Sequence, residues 1–216
     1  MRRLPTVLTD AQLSALYYGI NERTSTGKRD RALLQVMADA GLRVSEALHL
    51  RPQDLRQESG RVVALEIHAG KGDKDRTAYC TAQLSDKLLR WLDARAAIGV
   101  NGRAPVFCRI KGGPGLPLGA RTVEERVKAL AEAAGLEQAV HPHTLRHTYA
   151  TRLLRAGGNL RLVQEALGHA RITTTEIYTH VTSAEREMAA LALPPVDGGA
   201  EVDFAPPAGW NSENPP

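Results

Sequence analysis

The densest cluster of groups able to do chemistry in this chain is His141-Pro142-His143-Thr144-Leu145-Arg146-His147, which sets three imidazoles and a guanidinium at the start of a helical pattern. Two chemistries compete for it. His143 and His147, four apart on one helix face, have the spacing of two zinc ligands, but a zinc site wants a third ligand and often a glutamate between the histidines. Thr144, Leu145 and Arg146 stand there instead, and a cationic arginine on that face repels a divalent ion. Anion binding fits better: His143 and Arg146, three apart near a helix N-terminus, can both face a phosphate. No metal and no cofactor is therefore expected.

Further charged or nucleophilic side chains stand in suggestive settings. Arg43 follows the helix breaker Gly41-Leu42 between apolar segments, where a guanidinium is held rather than left in solvent, and Glu46 lies three residues on, placed to orient it. Lys71 sits between two glycines in the polar turn Gly70-Lys71-Gly72-Asp73-Lys74-Asp75. His169 follows Leu167-Gly168, and Tyr178 lies nine residues further along, in Thr173-Thr174-Thr175-Glu176-Ile177-Tyr178. A lone tyrosine beside apolar residues is ordinarily a core side chain, and Tyr17, Tyr18, Tyr79 and Tyr149 are read that way.

The elements that must position these groups follow from periodicity and caps. Thr9-x-x-Gln12 is a capping box for a helix over about 10–20, and a second helix runs from Arg29 to Ala40 with Gly41 as its stop. A short helix follows Leu42 and ends before Pro52. Residues 61–67 and 76–80 read as two strands of a hairpin whose basic tip carries Lys71. Helical patterns resume at 83–97, 119–134, 144–156, 160–167 and 174–179, with Asn159 and Thr173 as caps, and Thr182-x-x-Glu185 opens a last helix to about Leu193. The fold class is mainly α with a small antiparallel β-sheet, a domain over 1–193 followed by an acidic, Pro/Gly-rich tail over 194–216.

Composition sets the frame. The chain has 216 residues, 28 basic and 24 acidic, a formal charge of +4. The tail holds Asp197, Glu201, Asp203 and Glu213 and no Lys or Arg, so 28 basic residues face 20 acidic ones in 1–193, a net +8. A basic body suits a polyanion such as DNA. Cys80 and Cys108 form no C-x-x-C motif, and neither a secretory segment nor an apolar run of membrane-spanning length is present, which predicts a soluble cytoplasmic protein with free thiols. Arg121, Arg126 and Lys128 on the 119–134 helix are either a DNA-facing surface or a solvated charged face.

In order along the chain, Gly41-Leu42-Arg43-Val44-Ser45-Glu46, Gly70-Lys71-Gly72, His143-x-x-Arg146-His147, Leu167-Gly168-His169 and Tyr178 resemble the tyrosine recombinase, or phage integrase, family in its Xer-like form. The resemblance spans about residues 5–192 and implies that family's catalytic-domain fold, with no N-terminal core-binding domain evident. It implies site-specific recombination of double-stranded DNA through a 3′-phosphotyrosine intermediate, without metal or ATP. Arg43 and Arg146 would clamp the scissile phosphate and Tyr178 attack it. Lys71, or Lys74 in its stead, would protonate the leaving 5′ hydroxyl. His143 would assist proton transfer, His169 hydrogen-bond the phosphate, and Glu46 brace the site. Helix 183–193 would pack on its own domain or dock on a neighbouring protomer of a DNA-bound tetramer. Two alternatives stay open: strand transfer within one DNA, as in a type IB topoisomerase or telomere resolvase, and a non-catalytic DNA-binding accessory protein.

Overall fold

The computed structural model of the chain describes residues 6–68, 75–100, 102–157, 159–168 and 183–193. The helices are α1 (Asp10–Tyr18), α2 (Ser25–Ala38), α3 (Val44–His49), α4 (Ala82–Ala97), α5 (Ala120–Ala133), α6 (Pro142–Arg155), α7 (Leu160–Leu167) and α8 (Ser183–Leu191). Between α3 and α4 lie a 3-10 turn (Pro52–Asp54) and the strands β1 (Leu55–Glu58), β2 (Arg61–Ile67) and β3 (Arg76–Tyr79), which form one antiparallel sheet in that order. This is the mainly helical class with a small sheet that the sequence predicts. Among the described residues no helix is long and apolar enough to cross a membrane.

Caps account for most helix starts. Thr9 accepts from the Gln12 amide at 3.2 Å while the Gln12 side chain accepts from the Thr9 amide at 3.0 Å, the reciprocal box expected for α1. The Asn159 side chain accepts from the Leu162 amide at 2.8 Å at the head of α7. Two starts differ from expectation. Helix α2 begins at Ser25 rather than Arg29, because the Thr24 hydroxyl caps the Gly27 amide at 3.0 Å across a polar first turn that apolar periodicity does not register. Helix α6 begins at Pro142 rather than 144, with proline in the first helical turn, where its missing N–H costs nothing. The predicted helix over 174–179, the caps at Thr173 and Thr182, and the tail lie outside the described residues.

Strand β1 was not expected. Its Leu55-Arg56-Gln57-Glu58 buries one residue, Leu55, so it has no alternation to read. It exists because the two-residue turn Ser59-Gly60, with φ of 48° and 77°, folds it back on β2 and pairs Glu58 with Arg61. In β2 and β3, Ile67 pairs with Arg76 and Leu65 with Ala78.

Helix α2 is the centre of the molecule. Its side chains from Arg29 to Ala38 are buried, including charged ones, so each polar group must find a partner inside. Asp30 receives Arg29 Nη2 at 2.7 Å and Arg126 Nε of α5 at 2.7 Å. Beyond its end, Asp39 receives Arg152 Nη1 of α6 at 2.6 Å and the Gln35 amide at 2.9 Å. Burial pushes the Asp39 carboxyl above its ordinary range against the pull of Arg152 and Gln35. Arg31 lies over the Tyr17 ring, 3.7 Å from its centroid. The main apolar core extends from α1 through α2 and the sheet to Trp91 of α4 and to α5; Trp91 Nε1 donates to the Val106 carbonyl at 2.8 Å. A second, smaller core joins Tyr149 and Leu153 of α6 to Leu162, Val163 and Leu167 of α7 and to Leu193. Helix α8 packs on its own chain, with Ala190 against Ala64 and Tyr79.

Between α2 and α3 the backbone passes flush against α6. Gly41 has φ +68°, and a Cβ there would stand 2.4 Å from Cδ1 of Tyr149. Gly41→Ala is expected to lower stability by at least about 1–2 kcal/mol, the cost of a left-handed non-glycine residue, with displacement of the Tyr149 ring added to it. Urea denaturation measures this; an unchanged midpoint would show that the close approach is unimportant.

Candidate active site

Three separate parts of the chain meet at Glu46. Arg43 is the N-cap of α3 and Glu46 lies in its first turn, where a carboxylate suits both the free backbone N–H groups and the helix dipole. The Arg43 amide donates to Glu46 Oε2 at 2.6 Å, and Arg43 Nη1 donates to Oε1 at 2.9 Å. From β3, Arg76 approaches with a planar fork: Nη1 donates to Oε1 and Nη2 to Oε2, both at 2.9 Å. From α6, Arg146 Nη1 stands 3.5 Å from Oε2. Among the described residues, three guanidiniums thus share one carboxylate, and the cluster keeps a positive excess.

Arg146 and Arg76 also hold the end of α7. Arg146 Nη1 donates to the Gly41 carbonyl and Nη2 to that of Leu167. Arg76 Nε donates to the Ala166 carbonyl at 3.0 Å. The Leu167 and Ala166 carbonyls are ones that a helix C-terminus leaves without intrahelical partners. Gly168 caps α7 at φ +67°, and a Cβ there would lie 3.0 Å from Arg76 Cδ, so the arginine stem fills the space a side chain would need.

Electrostatics follow from this packing. Burial alone would raise the Glu46 carboxyl, but the hydrogen bonds and charge of Arg76, the Arg43 amide and the charge of Arg146 outweigh it and hold the group below the usual carboxylate range. Burial, then repulsion by Arg76, lowers Arg146 to about 10 despite the pull of Glu46, so it stays protonated at neutral pH. Burial, His143 and Arg146 each lower His147, which is neutral near pH 7. Burial raises the Tyr149 hydroxyl to about 12 and marks it as a packing group.

Of the residues singled out in the sequence, the structure brings together Arg43, Glu46 and Arg146. Arg43 is partly exposed, its side chain retaining 29% of its accessibility, whereas Arg146 retains 7%. His143 is exposed in the first turn of α6, one helical turn before Arg146 on the same face. Lys71, Lys74, His169 and Tyr178 lie outside the described residues. Arg76 was missed. Its signal was a charged residue on the inward register of a strand, beside Ala78 and paired to buried Ile67, a position that demands a buried carboxylate. On α5, Arg121 pairs with Glu125, Lys128 with Glu132, and Arg126 with buried Asp30.

The site is thus an under-neutralised cluster of three guanidiniums around one carboxylate on a mainly helical scaffold. Residues 6–185 match the phage integrase family, and the chain belongs to that family. It is 42% identical over 181 residues to the tyrosine recombinase XerC of Xylella fastidiosa strain M23, covering 84% of this chain and 58% of that protein. It is 37% identical over 184 residues to the tyrosine recombinase XerD of Lacticaseibacillus casei, covering 84% and 60%. The crystal structure of XerA recombinase superposes with a TM-score of 0.68 at 31% identity, covering 90% of this chain and 68% of that one. The chain thus spans less than two thirds of the length of these XerC and XerD relatives.

Because Glu46 has a depressed pKa, its stabilising effect is complete above its unfolded value of about 4.5 and fades as pH falls through the lower folded value. Glu46→Gln is expected to cost about 3 kcal/mol at pH 7, since it leaves buried guanidiniums uncompensated. The difference from the parent chain should shrink below pH 4.5. Urea titrations at pH 7 and pH 3.5 compare the two, and an equal difference at both would contradict the charge-sharing account.

Proposed function

We propose that this chain carries, over residues 1–193, the catalytic domain of a site-specific DNA recombinase that cuts and rejoins strands through a 3′-phosphotyrosine intermediate. The observation that carries the reading is the Glu46 cluster, in which Arg43, Arg76 and Arg146 surround a single carboxylate and leave a preorganised positive site. A phosphodiester repels nucleophiles, and negative charge builds in its pentacovalent transition state. Fixed cations therefore supply the main catalytic resource, and they do so without rearranging at the moment of reaction. The XerH recombinase, 32% identical with a TM-score of 0.65, has been captured on its difH substrate before cleavage, which supports duplex DNA as the partner here.

In this mechanism Arg43, the more exposed arginine, and Arg146, whose guanidinium carries five N–H donors, grip the non-bridging oxygens. The Tyr178 hydroxyl attacks phosphorus. Its proton passes to the His143 imidazole as the Oη–P bond forms, because a phenol of ordinary pKa about 10 is a poor nucleophile at neutral pH. The P–O5′ bond breaks, and Lys71 hands a proton to the departing 5′ oxygen. His143 assists proton movement and His169 hydrogen-bonds the phosphate. A 5′ hydroxyl of a second strand reverses these steps and joins to it, so neither ATP nor a metal is consumed. Strand exchange between two duplexes implies a DNA-bound tetramer, working in the cytoplasm.

Nicked suicide duplexes with randomised arms, incubated without metal and resolved on denaturing gels, test this reading. A covalent protein–DNA adduct is expected, absent in Tyr178→Phe and reduced about 100-fold in Arg43→Lys, which keeps the charge but loses the fork. An adduct that persists in Tyr178→Phe would sink the assignment, and no adduct from any duplex would leave a DNA-binding protein without chemistry.

A further inference from the structure

Arg76 has no part in the steps above, yet its side chain is the most fully engaged in the cluster. It retains 5% of its accessibility, close to the 7% of Arg146, so what sets it apart is how its donors are spent. Its Nη atoms are committed to Glu46 and its Nε to the Ala166 carbonyl, while its stem lies against Gly168. In sequence, Arg76 is the first residue of β3, five positions after Lys71, and Gly168 directly precedes His169. One guanidinium therefore ties the start of β3 and the end of α7 to the carboxylate that also orders Arg43.

We propose that Arg76 is a positioning residue for leaving-group protonation: it locks the start of β3, five residues after Lys71 in sequence, onto the carboxylate that also orders Arg43, and proton delivery by Lys71 depends on that anchorage. A lysine cannot substitute for it. One ammonium cannot span both carboxylate oxygens and the Ala166 carbonyl in the planar geometry that the fork provides. The inference rests on the proposed function and on the role given there to Lys71.

The test uses the duplex recovered by adduct capture, synthesised with either oxygen or sulfur as the 5′ bridging atom of the scissile phosphate. With sulfur, the Tyr178 Oη–P bond forms as the P–S bond breaks, and the electron pair leaves on a thiolate that needs no proton. Arg76→Lys and Lys71→Ala are compared with the parent chain in single-turnover adduct formation, alongside circular dichroism and DNA affinity. Both variants should be about 100-fold slow on the oxygen duplex, the size of a general-acid effect. On sulfur both should return to within about 3-fold of the parent, with Arg76→Lys still folded and binding DNA. Arg76→Gln repeats the comparison if the lysine variant does not fold. An Arg76 variant equally slow on both duplexes, or as fast as the parent on both, while sulfur rescues Lys71→Ala, overturns the inference and leaves Lys71 in place. If sulfur does not rescue Lys71→Ala, the role of Lys71 falls and this inference with it. If no duplex can be captured, the proposed function itself fails.

Discussion

A single part-buried carboxylate, Glu46, governs this molecule. Without Glu46, the guanidiniums of Arg43, Arg76 and Arg146 would face one another in a poorly solvated space, where like charges repel far more strongly than in water. With it, they converge and still outnumber their counter-charge. A fully neutralised cluster would be a structural ion pair with little to offer a phosphate. Three cations on one anion give rigidity and leave a positive field, the two properties that the proposed phosphate chemistry draws on.

The rest of the fold serves that convergence. Helix α2 carries its own buried charges, Asp30 and the neighbouring Asp39, matched by arginines from α5 and α6, so the elements bearing Arg43 and Arg146 are tied together by ion pairs as well as by apolar packing. The sheet delivers Arg76 from the opposite side, and α7 ends where two of these guanidiniums can take its unpaired carbonyls. Helix capping is thus accomplished by the site's own side chains.

What the sequence revealed tracks how local the cause is. Arg43 and Glu46 could be read because a helix breaker, a cap and a three-residue spacing lie within six positions, and Arg146 because it stands beside imidazoles at a helix start. The caps at Thr9 and Asn159 were likewise local. Arg76 was missed because its partner is 30 residues away and only the register of β3 turns it inward. Strand β1 was missed because pairing, not alternation, makes it a strand. The start of α2 was misplaced because a hydroxyl cap, rather than an apolar stripe, decides it. The resemblance to the phage integrase family supplied Lys71, His169 and Tyr178, which isolated residue types would not have distinguished from a surface lysine, a stray histidine and a core tyrosine.

The apolar interior is divided. The cluster of Tyr149, Leu153, Leu162, Val163, Leu167 and Leu193 is distinct from the main core around α2, and polar ties from Arg76 and Arg146 reach the last turn of α7 across that division. The last turn of α7 is therefore held to the main body by charge-assisted bonds whose strength depends on arginine geometry, while its own packing is local. Cooperativity between the two halves then runs partly through the arginine cluster: the bonds that order the guanidiniums around Glu46 join the Arg152–Asp39 pair and helix α6 itself in linking the smaller core to the larger.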